Sequence, residues 1–323
     1  MELIRGLHNL REHHRGCAVT IGNFDGIHRG HQHLIETVCQ RAKADGLRSC
    51  VVSFEPLPVE YFVTRSTAQT ANQAANKGKS ITRLTSTREK ITALGAWPLD
   101  QLLLLQFNST LAQTRADDFI RQVLTDGLDS QYLLIGDDFH FGQNREGNFT
   151  TLQHASEQYG FTLKQADTLT VAGDRVSSTR IRHLLANGDI NQAAELLGRD
   201  YSIEGRVEYG AQLGRTLGYP TANIALKNSN PPLRGVFSVS VTVENRSYNA
   251  IANLGVKPTV HGVQLSLEVH LLDFNADLYH KRLRVTFLHK LRDEKKFAGL
   301  DELKAAIATD EQNARQWFAE RDQ

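Results

Sequence analysis

Short, unbroken apolar runs punctuate the first half of the chain: CAVTI (Cys17 to Ile21), SCVVSF (Ser49 to Phe54), QLLLLQF (Gln101 to Phe107) and QYLLIG (Gln131 to Gly136), with a fainter one at FTLKQAD (Phe161 to Asp167). Runs of this length without polar alternation predict strands buried on both faces. Between them, apolar residues recur at helical spacing. Leu34, Ile35, Val38, Cys39 and Ala42 share one face of HQHLIETVCQRAKADG, which Gly46 is placed to end. Phe119, Ile120, Val123 and Leu124 do the same in TRADDFIRQVLTDGL. So do Ile181, Leu184 and Leu185 in SSTRIRHLLANGD, with Ser177 or Ser178 as its cap. The alternation predicts βαβ units and a doubly wound, Rossmann-like parallel sheet. One stretch breaks the rhythm: Thr64 to Ser80 is polar and aperiodic, and predicts a mobile surface loop or insertion.

The period changes after Tyr201. VFSVSVTV (Val236 to Val243), SYNAIANLG (Ser247 to Gly255), LSLEVHLLDF (Leu265 to Phe274) and RLRVTFLHKL (Arg282 to Leu291) follow one another with turns and no helices between them. That predicts an antiparallel β-barrel. The tail returns to helix, with Asp301 as an expected cap and Leu303, Ile307 and Ala314 to Phe318 as apolar contacts. The α/β rhythm stops between Ala186 and Asp200, so the expected domains are 1–186 and 187–323.

Composition narrows the partners. A chain of 323 residues with 40% apolar residues has room for two buried cores. A formal net charge of +1 argues against a nucleic-acid partner, which needs a basic excess. Three cysteines without a CxxC pair read as reduced thiols. The N-terminus is charged throughout, unlike a signal peptide, and no run approaches the roughly 20 apolar residues of a membrane span. The expectation is a cytoplasmic protein acting on small molecules, with no membrane partner. The pattern carries no reading of oligomeric state.

Candidate chemistry concentrates after the first strand. GNFDGIHRGH (Gly22 to His31) puts three glycines, two histidines and an aspartate between a strand and a helix. Glycines let the backbone turn tightly, and a helix start offers free N–H groups and partial positive charge, a seat for phosphate. No GxxxxGK[ST] motif is present, so a P-loop is excluded. His28 and His31, three apart, can face one way and donate hydrogen bonds to phosphate oxygens; His33 is offset. A tight turn with surface histidines satisfies the spacing equally well. SSTRIR (Ser177 to Arg182) offers hydroxyls and two arginines at a helix start, which is either a second anion site or an ordinary capped helix.

GNFDGIHRGH resembles the signature of nucleotidylyltransferases. SFEPLP (Ser53 to Pro58), IGDDFHFG (Ile135 to Gly142) and VSSTRIR, in that order, resemble the bacterial FMN adenylyltransferase branch. GRVEYGAQLGRTLGYPTANI (Gly205 to Ile224), ANLGVKPTV (Ala252 to Val260), LEVHLLDF and LRDEKKF (Leu291 to Phe297) resemble riboflavin kinase. The ordered set is similar to the bifunctional FAD-synthesis enzymes over nearly the whole chain. The resemblance implies phosphorylation of riboflavin to FMN, then adenylyl transfer from ATP to FMN giving FAD and pyrophosphate. It implies that Gly22, Phe24, Asp25 and Gly26 form the nucleotide turn, that His28 and His31 contact ATP phosphates, and that Ser178, Thr179 and Arg182 form a second phosphate box. Asp138 and Phe139 match a segment lining the flavin end. In the kinase half it implies Mg2+ at Thr221 and Asn223, a general base at Glu268, a glycine-rich cover over ATP at Gly210 and Gly214, and a flavin-side segment at Arg292. The family usually has arginine where this chain has His140, and a shorter connection than Thr64 to Ser80.

The residues themselves permit these roles. A threonine hydroxyl and an asparagine amide oxygen suit magnesium, and a carboxylate can take a proton from an attacking hydroxyl. By spacing alone, PTAN is equally a hydrogen-bonded turn and Glu268 a solvent-facing strand residue. An adenylyltransferase for a pantetheine or pyridine nucleotide would lack the β-rich second half. A class I aminoacyl-tRNA synthetase would carry a KMSKS-like segment, which this chain lacks. A flavin- or RNA-binding protein without catalysis would not need His28, His31 and Glu268. The two motif sets predict separable activities: the fragment Asn187 to Gln323 should phosphorylate riboflavin and form no FAD, as read by chromatography of the flavins.

Overall fold

The apolar runs of the first half become the inner strands of one parallel sheet. In the computed structural model, which describes residues 1–69, 82–210, 214, 217–226, 230–259 and 262–321, these are β2 (Cys17–Ile21), β3 (Arg48–Glu55), β4 (Gln101–Gln106), β5 (Ser130–Ile135) and β6 (Thr162–Gln165). A further strand, β1 (Glu2–Arg5), joins at the edge beside β4. It escaped the sequence reading because only Ile4 within it is fully buried. The order is β1-β4-β3-β2-β5-β6, so the winding reverses at β2, between β3 and β5. The chain divides into two units: Met1–Ile81 with Thr87–Ser177, and Thr82–Ser86 with Ser178–Gln323.

Both faces of the sheet are covered, as its strand composition requires. Val19, Ile21, Val52 and Leu103 point to one face and pack against Phe119, Val123 and Leu152. Ala18, Val51 and Leu102 point to the other, with Val38, Ile35 and Leu94 among the residues that cover them. The covering elements are α1 (Arg29–Asp45), α2 (Pro58–Gln69), α3 (Thr87–Leu94), α4 (Ser109–Gln113), α5 (Ala116–Phe119) and α6 (Phe149–Tyr159). Helix α1 ends at Gly46, whose φ of 67° is the left-handed cap expected of it. Helix α5 runs on into a π-helical stretch, Ile120–Thr125, which still buries Ile120, Val123 and Leu124. The loop expected at Thr64 to Ser80 begins differently: Thr64 to Gln69 are the last residues of α2. Within it, Thr64 Oγ1 donates to Glu60 O at 2.8 Å. The remainder of that stretch lies outside the described residues. All three cysteines are buried and unpaired.

A small hairpin, β7 (Thr170–Val171) with β8 (Asp174–Arg175), closes the first unit. The second begins with α7 (Ser178–Asn187) and α8 (Ile190–Leu197), which pack on one another. Then come β9 (Ser202–Glu208), β10 (Ala222–Ile224), β11 (Gly235–Val243), β12 (Arg246–Thr259), β13 (Gly262–Leu271) and β14 (Arg282–Arg292). They form a closed antiparallel barrel in the order β10-β13-β12-β11-β14-β9. The four predicted runs are β11 to β14; β9 and β10 are the two that close the ring. Alternate residues fill the interior, among them Phe237, Val239, Leu267, Val285 and Phe287, each at most 1% exposed. Phe237 and Phe287 meet edge to face at 5.3 Å. Helix α9 (Leu300–Arg321) lies outside, with Ala314 and Phe318 against Val236, Ile251 and Leu272. It starts one residue before Asp301, which therefore sits inside the first turn and complements the helix dipole rather than capping it. Among the described residues, no helix is long and apolar enough to cross a membrane.

The edge strand β1 is tied down by chemistry as well as pairing. His14 is buried, its Nδ1 accepts the Arg11 N–H at 2.9 Å, and its Nε2 meets Glu2 Oε1 at 2.9 Å. In the neutral ring the proton therefore sits on Nε2 and is donated to the carboxylate. His13 brings a third ligand atom, all three within 4.8 Å. A metal at Nε2 would strip the proton from a ring whose other nitrogen is already an acceptor, so the cluster is a hydrogen-bonded tether. That bond from His14 holds the Glu2 carboxyl below its ordinary value. A depressed carboxylate stabilises the fold above its unfolded value of about 4.3, and loses that contribution as pH falls through the folded one. The stability difference between wild type and Glu2→Gln, from urea unfolding, is expected to be level near neutrality, to shrink as pH falls past about 4.3 and to be gone once pH is below the folded value.

Candidate functional sites

Where the winding of a parallel sheet reverses, the loops leaving the carboxyl ends of the two flanking strands diverge and open a crevice. Here that point lies between β2 and β5. From β2 leaves the turn Gly22 to His31. The Gly22 N–H donates to Val52 O at 3.1 Å, and a Cβ on Gly22 would lie 3.2 Å from the Phe24 ring. Phe24, Gly26 and Ile27 hold φ at 48°, 81° and 42°. For two non-glycine residues, one of them β-branched, this is strained backbone worth about 1–3 kcal/mol each. Burial holds it: Phe24 is 0%, Ile27 2% and Asp25 1% exposed.

His28 is the N-cap of α1, accepting the His31 N–H on Nδ1 at 3.3 Å. That bond puts the proton of the neutral ring on Nε2, which is then the ring's donor. The His28 and His31 rings stack at 3.7 Å and 16°, and Phe24 lies 4.9 Å from His31. The pair predicted to face one way does so, at the start of α1. His33 is exposed.

From β5 leaves the loop with Asp138 and Phe139. Asp138 is exposed, and its Oδ2 lies 3.2 Å from Arg175 on β8. Phe139 stacks on Phe141 at 5.4 Å. His140 binds the Asp138 carbonyl through Nδ1 at 3.0 Å. The cation beside this loop is thus Arg175, which also pairs with Asp137. Sequence reading missed it because the hairpin carrying it is only two residues wide on each side. Missed too is an aromatic group at the carboxyl ends of β3 and β4. Tyr61, Phe62 and Phe107 meet within 5.8 Å of one another, and Phe62 is 51% exposed. Ser178, Thr179 and Arg182 begin α7, which belongs to the second unit.

The barrel gathers its candidates by register. Asn223 on β10 sits opposite Glu268 on β13 and Glu208 on β9, and Glu268 sits opposite Asn253 on β12. Directly paired residues share a face. Their neighbours Val207, Ala222, Ile224, Ala252, Leu254, Leu267 and Val269 are the buried ones, so the row Glu208–Asn223–Glu268–Asn253 lies on the outside. Glu208 and Asn253 were not legible in sequence, since strand pairing across the barrel is not local. Two glycines approach this row closely. A Cβ on Gly210 would stand 2.3 Å from Asn223 Nδ2, and one on Gly214 would stand 2.3 Å from Tyr219 O and 3.3 Å from Thr221 Oγ1. The structure brings together Thr221, Asn223, Glu268, Gly210 and Gly214. Arg292 is engaged elsewhere: its Nε and Nη2 donate to the two oxygens of Asp310 at 2.8 and 2.7 Å, tying β14 to α9. Its guanidinium also lies 5.6 Å over Phe297.

Residues 10–180 match the FAD synthetase family and residues 197–318 the riboflavin kinase family. The chain is 49% identical over 316 residues to the bifunctional riboflavin kinase/FMN adenylyltransferase of Pseudomonas fluorescens, covering 98% of this chain and 97% of that one. It is 42% identical over 320 residues to the protein of that name from Escherichia coli K12, covering 98% of both. The chain belongs to the bifunctional riboflavin kinase/FMN adenylyltransferase family. A crystal structure titled macrolide-efflux protein, from Streptococcus pneumoniae, shares the family member's fold with a TM-score of 0.79 and 27% identity, over 98% of this chain and 100% of that one.

In this family member the Arg292–Asp310 bond joins a carboxylate only 5% exposed to a bidentate partner. Removing one side leaves a charge without its mate, at about 3 kcal/mol where one partner is still partly wet. Asp310→Asn is expected to lower the melting temperature of the second unit by several degrees, read by calorimetry. Glu311→Gln, one position along, touches only the exposed pair with Arg315 and should leave it unchanged.

Proposed function

We propose that the chain makes FAD in two ATP-dependent transfers, riboflavin kinase chemistry in residues 187–323 and FMN adenylyltransferase chemistry in residues 1–186. The observation that carries the reading is that each family match encloses its own constellation: the stacked histidines at the sheet reversal, and the Thr221–Asn223–Glu268 group on the barrel. In the first transfer, Glu268 accepts the proton of the ribityl hydroxyl as that oxygen attacks the γ-phosphorus, giving FMN and ADP. Gly210 and Gly214 bring backbone over the nucleotide where a side chain would intrude on Asn223 or Thr221. The hydroxyl of Thr221 and the amide oxygen of Asn223 are hard oxygen donors on one short segment, a set that fits Mg2+. That ion, when bound, would neutralise phosphate charge. Arg292, fixed by Asp310, orders the flavin-side segment that follows it.

In the second transfer an FMN phosphate oxygen attacks the α-phosphorus of ATP and pyrophosphate leaves. His28, through Nε2–H, and His31 donate to the phosphate oxygens as charge grows there; Gly22, Phe24, Asp25 and Gly26 shape the seat. Ser178, Thr179 and Arg182 serve phosphate binding, and Asp138 with Phe139 serves the flavin. Neither transfer needs a covalent enzyme intermediate; each needs placement and charge stabilisation. The substrates are small molecules, and cytoplasmic conditions would keep the buried thiols reduced.

Single substitutions separate the chemistries. His31→Ala is expected to slow FAD formation by about 10²–10³, or roughly 3–4 kcal/mol, while riboflavin phosphorylation continues. Glu268→Gln should slow FMN formation by about 10²–10⁴ and leave supplied FMN convertible to FAD. Chromatography of flavins after incubation with ATP and Mg2+ reads both. A crossed result, or no FMN and no FAD from the wild type, would overturn the assignment.

A further inference from the structure

Nothing said so far accounts for Lys90. It lies on α3 with 0% exposure, where lysine is almost never found without partners that offset its desolvation. Its Nζ donates to Ser53 Oγ and to Phe54 O, both at 3.3 Å. Ser53, itself 0% exposed, donates its hydroxyl to Asn23 O at 3.2 Å. Asn23 is the second residue of the histidine turn, directly before Phe24 and its φ of 48°. One residue earlier on each chain segment, Val52 O receives the Gly22 N–H. Two consecutive residues of β3 thus grip two consecutive residues of the turn, and the ammonium stands behind the second grip. A strand end that needed only closing would be served by water or a neutral donor.

We propose that Lys90 is a positioning residue for adenylyl transfer. Through Ser53 it fixes the carbonyl of Asn23 and with it the strained Phe24-to-Ile27 turn that presents His28 and His31. The inference rests on the reading of this turn as the ATP seat. The competing role is closure of the β3 end alone, which would change stability and leave the kinetics of folded molecules untouched.

The test compares Lys90→Met, Ser53→Ala, their double variant and His31→Ala in the full chain, at a temperature where circular dichroism shows each one folded. Lys90→Met matches the lysine stem as far as its fourth side-chain atom and removes the ammonium. It is expected to lower kcat/KM for ATP in FMN adenylylation by about 10- to 100-fold, since a displacement of about 1 Å at a reacting site costs up to about 10². The KM for ATP should rise and that for FMN should not, and riboflavin phosphorylation should be unaffected. Ser53→Ala should fall between, and the double variant should be no worse than Lys90→Met, because the two act as one relay. Wild-type kinetics in folded Lys90→Met, or losses that add in the double, would overturn the proposal. If Lys90→Met does not fold, Ser53→Ala decides: unchanged adenylylation refutes the relay, and a raised KM for ATP supports it. Full adenylylation by His31→Ala would instead refute the ATP seat itself.

Discussion

The sheet can be built in only one way that leaves room for a site. Parallel strands buried on both faces offer a ligand no access along their length, so the polar ends are what remains. At the reversal beside β2 the connections from β2 and β5 depart in opposite directions, and covering helices cannot fill the space between them. The turn from Gly22 to His31, the acidic loop at Asp137 and Asp138, and the grip of Val52 and Ser53 on the turn all depend on that reversal. So does the strain at Phe24 and Ile27. A backbone in the left-handed region persists only where its surroundings over-determine it, and both side chains are fully buried there.

The barrel solves the same problem by the opposite route. Closing the ring removes its edges and its interior is packed with side chains, so chemistry is pushed outward. The outer row of Glu208, Asn223, Glu268 and Asn253 is assembled from four strands distant in sequence. Antiparallel register does the assembling: a slip of one residue in β13 would send Glu268 inward and Leu267 or Val269 into solvent, which burial forbids. The hydrophobic interior therefore enforces the polar row without touching it.

The legibility of the sequence follows from the range of the interactions involved. Inner strands were plain because every residue of CAVTI is buried. The face of α1 and its Gly46 stop were plain because both are encoded within a few residues. The strand β1 was not, since pairing with β4 rather than local pattern makes it a strand. The three-residue β10 and the adjoining β9 were hidden for the same reason, and with them Glu208. Asp301 looked like a cap because nothing local distinguishes Ncap from the first turn. Nothing local marks Lys90 in TREKITAL as buried; tertiary packing alone buries it. Arg292 was singled out by its motif, while its bidentate partner Asp310 lies 18 residues on in a helix whose packing no local signal announces.

An outward-facing polar row also bears on how such a barrel can change. In many enzymes the groups that do chemistry intrude into the core, and stability and activity are traded against one another. Here the interior side chains of Val207, Ile224, Leu254, Leu267 and Val269 share strands with the polar row but face the other way. Volume-conserving exchanges inside the ring can accumulate with little trace outside it. Lineages of this fold are then free to drift in the core as temperature demands, while the four outer positions, held by register alone, stay where they are.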